Sequence, residues 1–281
     1  MKKIGVIGGG TMGTGVAQNF AQFGYQVVLI DLTQEILEKA KQEIYKNLRF
    51  LAFFNKGAVT ESDETIIERI NFSNNLELLK DMDFVIENVT EDWNVKREVY
   101  NTIDKICQNS CIFMVNTSCI SITKIGSLTQ RPEKVIGTHF MNPVPLKTSI
   151  ETIRGFHTSE ETIQATKELL STINKECIVV NDYPGFVSNR ISHLMMNEAA
   201  YIVQDNVADP KDIDDIFKKC YGHKMGPLET ADLIGLDTVV NSLKVLYEGY
   251  QDSKFRCCPL LQKMVSAGLY GRKSGEGFYR Y

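Results

Sequence analysis

The chain has 281 residues, 43% of them apolar, which is enough for one large or two medium domains, each with its own core. A net charge near −4 offers no basic face to nucleic acid or to an anionic membrane, and no apolar run reaches the ~18 residues of a membrane helix. Seven cysteines at irregular spacings, with no C-x-x-C pair, support neither a disulfide framework nor a metal site and point to a reducing cytoplasm.

The opening Met1-Lys2-Lys3-Ile4-Gly5-Val6-Ile7 lacks a signal peptide's apolar stretch and reads as a buried strand entering a glycine turn. Residues 4–7 and 27–30 are short apolar, β-branched runs. Between them Met12 to Phe23 has helical character and stops at Gly24, so the first thirty residues form a βαβ unit. A long helix is expected from Gln34 to about Asn55. Next come a strand at Phe84-Val85-Ile86, a helix over Val95 to Ile106, and strands at 112–115 and 135–138. Cys177-Ile178-Val179-Val180 reads as the last strand. Strands alternating with helices predict a doubly wound, mostly parallel sheet of α/β class.

The pattern changes at Asn181-Asp182-Tyr183-Pro184-Gly185. Beyond it, Ile191 to Gln204, Pro210 to Tyr221 and Leu228 to Tyr247 have helical periodicity, and the next strand-like residues are Phe278-Tyr279. The expected organisation is a Rossmann-type domain over 1–183 and an all-helical domain over 184–281.

Gly8-Gly9-Gly10-Thr11-Met12-Gly13 fits G-x-G-x-x-G, a weak pattern alone. Here it follows a strand, opens a helix, and precedes an acidic residue, Asp31, that closes the second strand 18 residues beyond Gly13. In that context Gly8 permits the tight turn, Gly10 lets backbone approach a pyrophosphate, and Gly13 lets helix pack closely on sheet. The helix N-terminus offers free N–H groups and partial positive charge to phosphates. Asp31 suits ribose hydroxyls and would repel a 2′-phosphate, so NAD is expected over NADP.

Four histidines are present. His157 lies in a polar turn, His193 in a helix and His223 beside a glycine-containing loop, and each reads as structural. His139 ends an apolar strand at the carboxyl edge of the sheet, where such folds place their sites. Glu151 opens the next short element. A carboxylate beside an imidazole fixes its tautomer and stabilises the imidazolium formed in proton transfer.

With GGGTMG at 8–13, NTS at 116–118, HFMNPVP at 139–145, IETIRG at 150–155, PGFVSNRI at 184–191, MGPLETADLIGLD at 225–237 and GRKSGEGFY at 271–279, the chain resembles the 3-hydroxyacyl-CoA dehydrogenase family, and within it the bacterial 3-hydroxybutyryl-CoA dehydrogenases. The resemblance spans essentially the whole chain. It implies an NAD-dependent enzyme interconverting a 3-hydroxyacyl thioester and its 3-oxo form. It implies His139 as general base, Glu151 as its orienting partner, and Ser118 and Asn189 as substrate-orienting hydrogen-bond donors. Gly8, Gly10, Thr11, Met12, Gly13, Asp31, Glu91, Lys96, Ser118, Asn142 and Lys273 fall on positions lining the cofactor site. It also implies a homodimer through the helical domain, with Met195, Met196, Ile202, Val203, Leu233, Ile234 and Leu236 as apolar material.

The run Asn47-Leu48-Arg49-Phe50-Leu51-Ala52-Phe53-Phe54 departs from the pattern. Relatives that use CoA carry lysines here, whereas this chain has phenylalanines, with Phe54 at the clearest position. Asn47 and Phe54 are expected at the substrate's handle. Either the phenylalanines complete a core, or the substrate is an acyl group on a carrier protein's phosphopantetheine, as in making hydroxymalonyl-type extender units for polyketide or peptide synthesis. A non-catalytic dinucleotide-binding structural or sensor protein is the third alternative, and the intact His139, Glu151, Ser118 and Asn189 set argues against it.

Overall fold

The computed structural model describes residues 2–54 and 61–281, with the side chains of 51–54 outside that description. The chain divides into two units, 1–182 and 183–281.

The first unit is built on one eight-stranded sheet. Its strands are β1 (Ile4–Ile7), β2 (Val27–Ile30), β3 (Ile70–Ser73), β4 (Phe84–Glu87), β5 (Ile112–Val115), β6 (Val135–His139), β7 (Ser149–Arg154) and β8 (Glu176–Asn181). Their spatial order is β3-β2-β1-β4-β5-β6-β7-β8. The pairs from β3 to β6 are parallel; β7 runs antiparallel to β6 and parallel to β8. The chain leaves β1 toward β2 on one side and returns to β4 on the other, which opens a crevice beyond the carboxyl ends of β1 and β4. Strands β1, β4 and β5 are buried at every position, as expected of a sheet covered on both faces.

The helices of this unit are α1 (Thr11–Gln22), α2 (Gln34–Phe54), α3 (Asp63–Glu68), α4 (Trp93–Ile106), α5 (Ile122–Gly126) and α6 (Glu160–Ser171). Val16 and Phe20 of α1 and Leu37, Ile44 and Leu48 of α2 fall at helical spacing and are buried in one core with Val6 and Leu29. Asp92 caps α4 by accepting from the backbone N–H groups of Asn94 and Val95. Four elements of this unit, α3, β3, α5 and α6, have no counterpart in the sequence analysis. β3 is an edge strand with Asn71 exposed and Phe72 half-buried, so it lacks the continuous apolar run that marks the inner strands.

The second unit comprises α7 (Ser188–Gln204), α8 (Pro210–Cys220), α9 (Pro227–Ile234), α10 (Leu236–Tyr250) and α11 (Pro259–Ser266). The single helix expected over 228–247 is two. Gly235 divides them at φ 104°, where a Cβ would approach Asp237 Oδ1 and Lys273 Nζ to 2.9 Å. Phe278-Tyr279 do not form a regular strand; isolated bridges join Gly271 to Glu276 and Glu276 to Arg280. Buried Asp232 pins this tail by accepting from the N–H groups of Phe278 and Tyr279 at 3.0 Å each. Met196 and Leu236, expected at a dimer interface, are fully buried in the unit's own core and are unavailable to a partner. Leu233 and Ile234 remain 51% and 39% exposed.

Candidate active site

The cofactor turn follows from three glycines. Gly8 sits at φ 96°, and a Cβ there would lie 2.6 Å from the Asn88 carbonyl oxygen. A Cβ on Gly13 would stand 1.8 Å from the Gly8 carbonyl oxygen, so only glycine allows α1 to approach the turn this closely. A Cβ on Gly10 would meet nothing within 4 Å, so backbone at this point faces open space. Gly10 is also the N-cap of α1, makes no side-chain cap, and is followed by no acidic residue in the first turn. An open helix N-terminus with no side-chain cap and no acidic residue in its first turn fits a pyrophosphate. Thr11 is exposed at this end, while Met12 is partly buried and packs on the core. Asp31 holds the turn from the side. Its Oδ2 accepts from Gly9 N at 2.5 Å and its Oδ1 from Leu32 N at 2.6 Å.

His139 closes β6. His139 Nδ1 is 3.0 Å from Glu151 Oε2, and His139 Nε2 is 3.1 Å from Ser118 Oγ. The side chains of His139 and Glu151 are 8% and 9% exposed, so their contact is shielded from water. With Nδ1–H donating to the carboxylate, Nε2 carries the lone pair and faces the Ser118 hydroxyl.

Ser118 is held by its neighbours. Glu91 Oε1 accepts from Thr117 Oγ1 at 2.5 Å, from Ser118 N at 2.8 Å and from Cys119 N at 2.9 Å. Lys96, expected to line the cofactor site, is fully buried. Its Nζ donates to both Glu87 carboxylate oxygens at 2.8 and 2.9 Å and to the Asn116 carbonyl at 3.0 Å, with Glu91 Oε2 at 3.8 Å. Its place here is beneath the site, as the counter-ion of Glu87 and a support of the 116–119 turn. Burial pushes the Glu87 carboxyl above the usual carboxylate range, and the Lys96 ammonium opposes that shift. Glu87 was absent from the sequence reading, although a glutamate closing the apolar run Phe84-Val85-Ile86 is a signal in itself.

A cleft of 280 Å³ opens beside the turn, lined by Thr11, Gly15, Glu43, Asn47 and Phe50 and by the stretch Asn142–Leu146. Asn142 and Asn47 thus share one cleft. Phe50 is 59% exposed and does not complete the core. Phe54 lies outside the residues whose side chains are described. The cleft wall at Val144–Leu146 is tethered by Lys175, which the sequence analysis did not single out. Its Nζ donates to the Val144 carbonyl at 2.9 Å and the Lys147 carbonyl at 2.5 Å.

Two expected site residues belong to the second unit. Asn189 stands on the first turn of α7, where its carbonyl is 3.0 Å from His193 Nδ1. Lys273 follows Gly271 in the tail and forms an ion pair with Asp237 of α10. Among the described residues no cluster of metal-binding side chains occurs, and no helix is long and apolar enough to cross a membrane.

Residues 3–183 match the model of the 3-hydroxyacyl-CoA dehydrogenase NAD binding domain, and residues 185–281 match that of the 3-hydroxyacyl-CoA dehydrogenase C-terminal domain. The chain belongs to the 3-hydroxyacyl-CoA dehydrogenase family. It is 46% identical to a probable 3-hydroxybutyryl-CoA dehydrogenase of Deinococcus radiodurans, with 99% of this chain and all of that one aligned. It is 44% identical to the 3-hydroxybutyryl-CoA dehydrogenase of Clostridioides difficile over 99% of each chain. The crystal structure of (S)-3-hydroxybutyryl-CoA dehydrogenase from Ralstonia eutropha superposes with a TM-score of 0.96 at 40% identity, covering 100% of this chain and 99% of that one. As a member of this family the protein is an enzyme, an oxidoreductase of hydroxyacyl thioesters with NAD as cofactor.

Proposed function

We propose that the enzyme interconverts 3-hydroxybutyryl-CoA, or a short homologue, and its 3-oxo form, with His139 as the proton-transfer residue. The names of full-length relatives at 44–46% identity support the substrate. The contact of His139 with both Glu151 and Ser118 carries the reading of the chemistry.

NAD, when bound, supplies the hydride acceptor or donor. In oxidation, His139 Nε2 takes the proton of the substrate's 3-hydroxyl. Glu151 stabilises the resulting imidazolium through Nδ1–H, and Ser118 Oγ hydrogen-bonds the same substrate oxygen. In reduction the imidazolium returns that proton to the developing alkoxide. A placed acid–base group of this kind contributes roughly 10²–10⁴-fold. Glu91 and Lys96 keep the Ser118 turn in place, Asn142 borders the cofactor turn, and Asn189 and Lys273 are retained as substrate and cofactor contacts on the strength of their motifs. The test is NADH oxidation on acetoacetyl-CoA by the purified protein; turnover supports the assignment, and its absence at saturating substrate defeats it.

A second reading is supported by Phe50. Among the described residues no lysine or arginine lines the cleft, and Glu43 adds an anion. A phosphopantetheine arm on a carrier protein would suit that wall better than the phosphates of CoA. A kcat/KM at least as high on an acetoacetyl carrier protein as on acetoacetyl-CoA would favour it. A homodimer through exposed residues such as Leu233 and Ile234 belongs to the same proposal and is tested by sedimentation equilibrium. So does a cytoplasmic setting, supported by seven free cysteines.

A further inference from the structure

We propose that Asn116 is a positioning residue whose buried amide ties the strand end carrying His139 to the strand end supporting the glycine turn. The inference rests on the reading of His139 as the proton-transfer group. Asn116 follows the last residue of β5, the strand between β4 and β6, and is 9% exposed. Its Oδ1 accepts from the backbone N–H of Phe140, the residue after His139, at 3.1 Å. Its Nδ2 donates to Asn88 Oδ1 at 2.7 Å. Its backbone carbonyl accepts from Lys96 Nζ at 3.0 Å, and its backbone N–H donates to the Glu87 carbonyl at 2.9 Å.

Asn88 carries the chain of contacts to the cofactor turn. Its N–H donates to the Ile7 carbonyl at 2.7 Å, and its own carbonyl lies against Gly8 where any Cβ would collide at 2.6 Å. Its side chain is also fixed, since Nδ2 donates to the Ile86 carbonyl at 3.0 Å. The order from cofactor turn to base is therefore Gly8, Asn88, Asn116, Phe140, His139. An amide supplies both the acceptor that Phe140 needs and the donor that Asn88 needs from two separate atoms. A carboxylate loses the donor, and an aliphatic side chain leaves the buried Phe140 N–H and the half-buried Asn88 Oδ1 without this partner. Three parallel strand ends can slide relative to one another at little cost where their ladders stop. A side-chain bridge across all three removes that freedom where His139 must meet substrate and cofactor together.

The experiment compares wild type with Asn116→Ala in two measurements. The first is the titration of the His139 ring, followed by NMR of histidine-labelled protein, which needs no turnover. The second is the steady-state reduction of acetoacetyl-CoA by NADH. Positioning predicts a His139 titration that differs between variant and wild type, because the contact with Glu151 is perturbed. It also predicts a kcat lower by roughly 10- to 100-fold with KM for acetoacetyl-CoA changed less than about threefold. An unchanged titration and kcat, with only a lower melting temperature, would overturn it. Should Asn116→Ala not fold, Asn88→Ala removes one end of the same bridge and is read by the same two measurements. A wild type inert toward acetoacetyl-CoA defeats the proposed function, while the His139 titration still decides the role of Asn116.

Discussion

His139 and Glu151 stand directly opposite each other across the antiparallel pair β6 and β7. Opposed residues of an antiparallel ladder project to the same face, so the register alone brings imidazole and carboxylate together, and their side chains meet at 3.0 Å. The reversal of β7 against an otherwise parallel run has a chemical use: it places a second side chain at the carboxyl end of β6. Glu151→Gln keeps the shape and a hydrogen-bond acceptor and removes the charge that stabilises the imidazolium. We expect kcat to fall by about tenfold or more and the His139-dependent limb of the pH–rate profile to move to lower pH, because the protonated ring loses its counter-ion. A profile superimposable on wild type would show that the contact is merely structural.

Asp31, whose carboxylate clasps the Gly9 and Leu32 N–H groups at the end of β2, is the residue we expect to set cofactor choice. A 2′-phosphate brought near it would face a like charge, which costs several kcal/mol. NADH is expected over NADPH by at least about tenfold in kcat/KM. Asp31→Ala should narrow that ratio and also weaken NADH binding, since the clasp on the turn is lost. Equal use of the two cofactors by wild type would remove the argument.

Phe50 lines the cleft in which the substrate's handle is proposed to lie. Being 59% exposed, it can be replaced by lysine with little change in stability, roughly within 0.5 kcal/mol. If the cleft receives the CoA tail, Phe50→Lys should lower KM for acetoacetyl-CoA by about two- to tenfold with kcat unchanged. An unchanged KM with normal melting would place the phosphates elsewhere.

Lys175 links stability to pH. Burial pushes its ammonium down to about 8 from an ordinary 10.5. Below about pH 8 both the folded and unfolded states carry its proton. Above that the folded state releases it while the unfolded chain keeps it until about 10.5. The unfolded state then binds more protons, so this group's contribution to stability rises with pH through that window. Relative to Lys175→Met, wild type should gain roughly 1–3 kcal/mol between pH 7.5 and pH 10, measured by urea unfolding. A flat difference would mean that the two carbonyl contacts at Val144 and Lys147 hold the proton in place.

Much of this was legible in local sequence. Gly8, Gly10 and Gly13 declare themselves because the turn, the open approach and the helix packing all occur within six consecutive residues. His139 declares itself by ending an apolar strand. The pairing of Glu151 with His139 was legible only through the resemblance, because it depends on the direction of β7, which the spacing does not encode. The burial of Lys96 was not legible for a related reason: it depends on the carboxylate of Glu87 on a neighbouring strand. Leu228 to Tyr247 has one unbroken apolar period, yet Gly235 adopts a left-handed conformation that ends one helix and starts the next. Such a break is set by the tail carrying Lys273 packing against it, a contact distant in sequence.

The central claim is that His139 moves the proton in a thioester dehydrogenase. It is tested most directly by comparing wild type and His139→Gln in the reduction of acetoacetyl-CoA by NADH, with NADH affinity measured separately by fluorescence. The account predicts a kcat at least ~10²-fold lower in the variant with the NADH dissociation constant unchanged within about twofold. A variant that retains most of its kcat while binding NADH normally would contradict it.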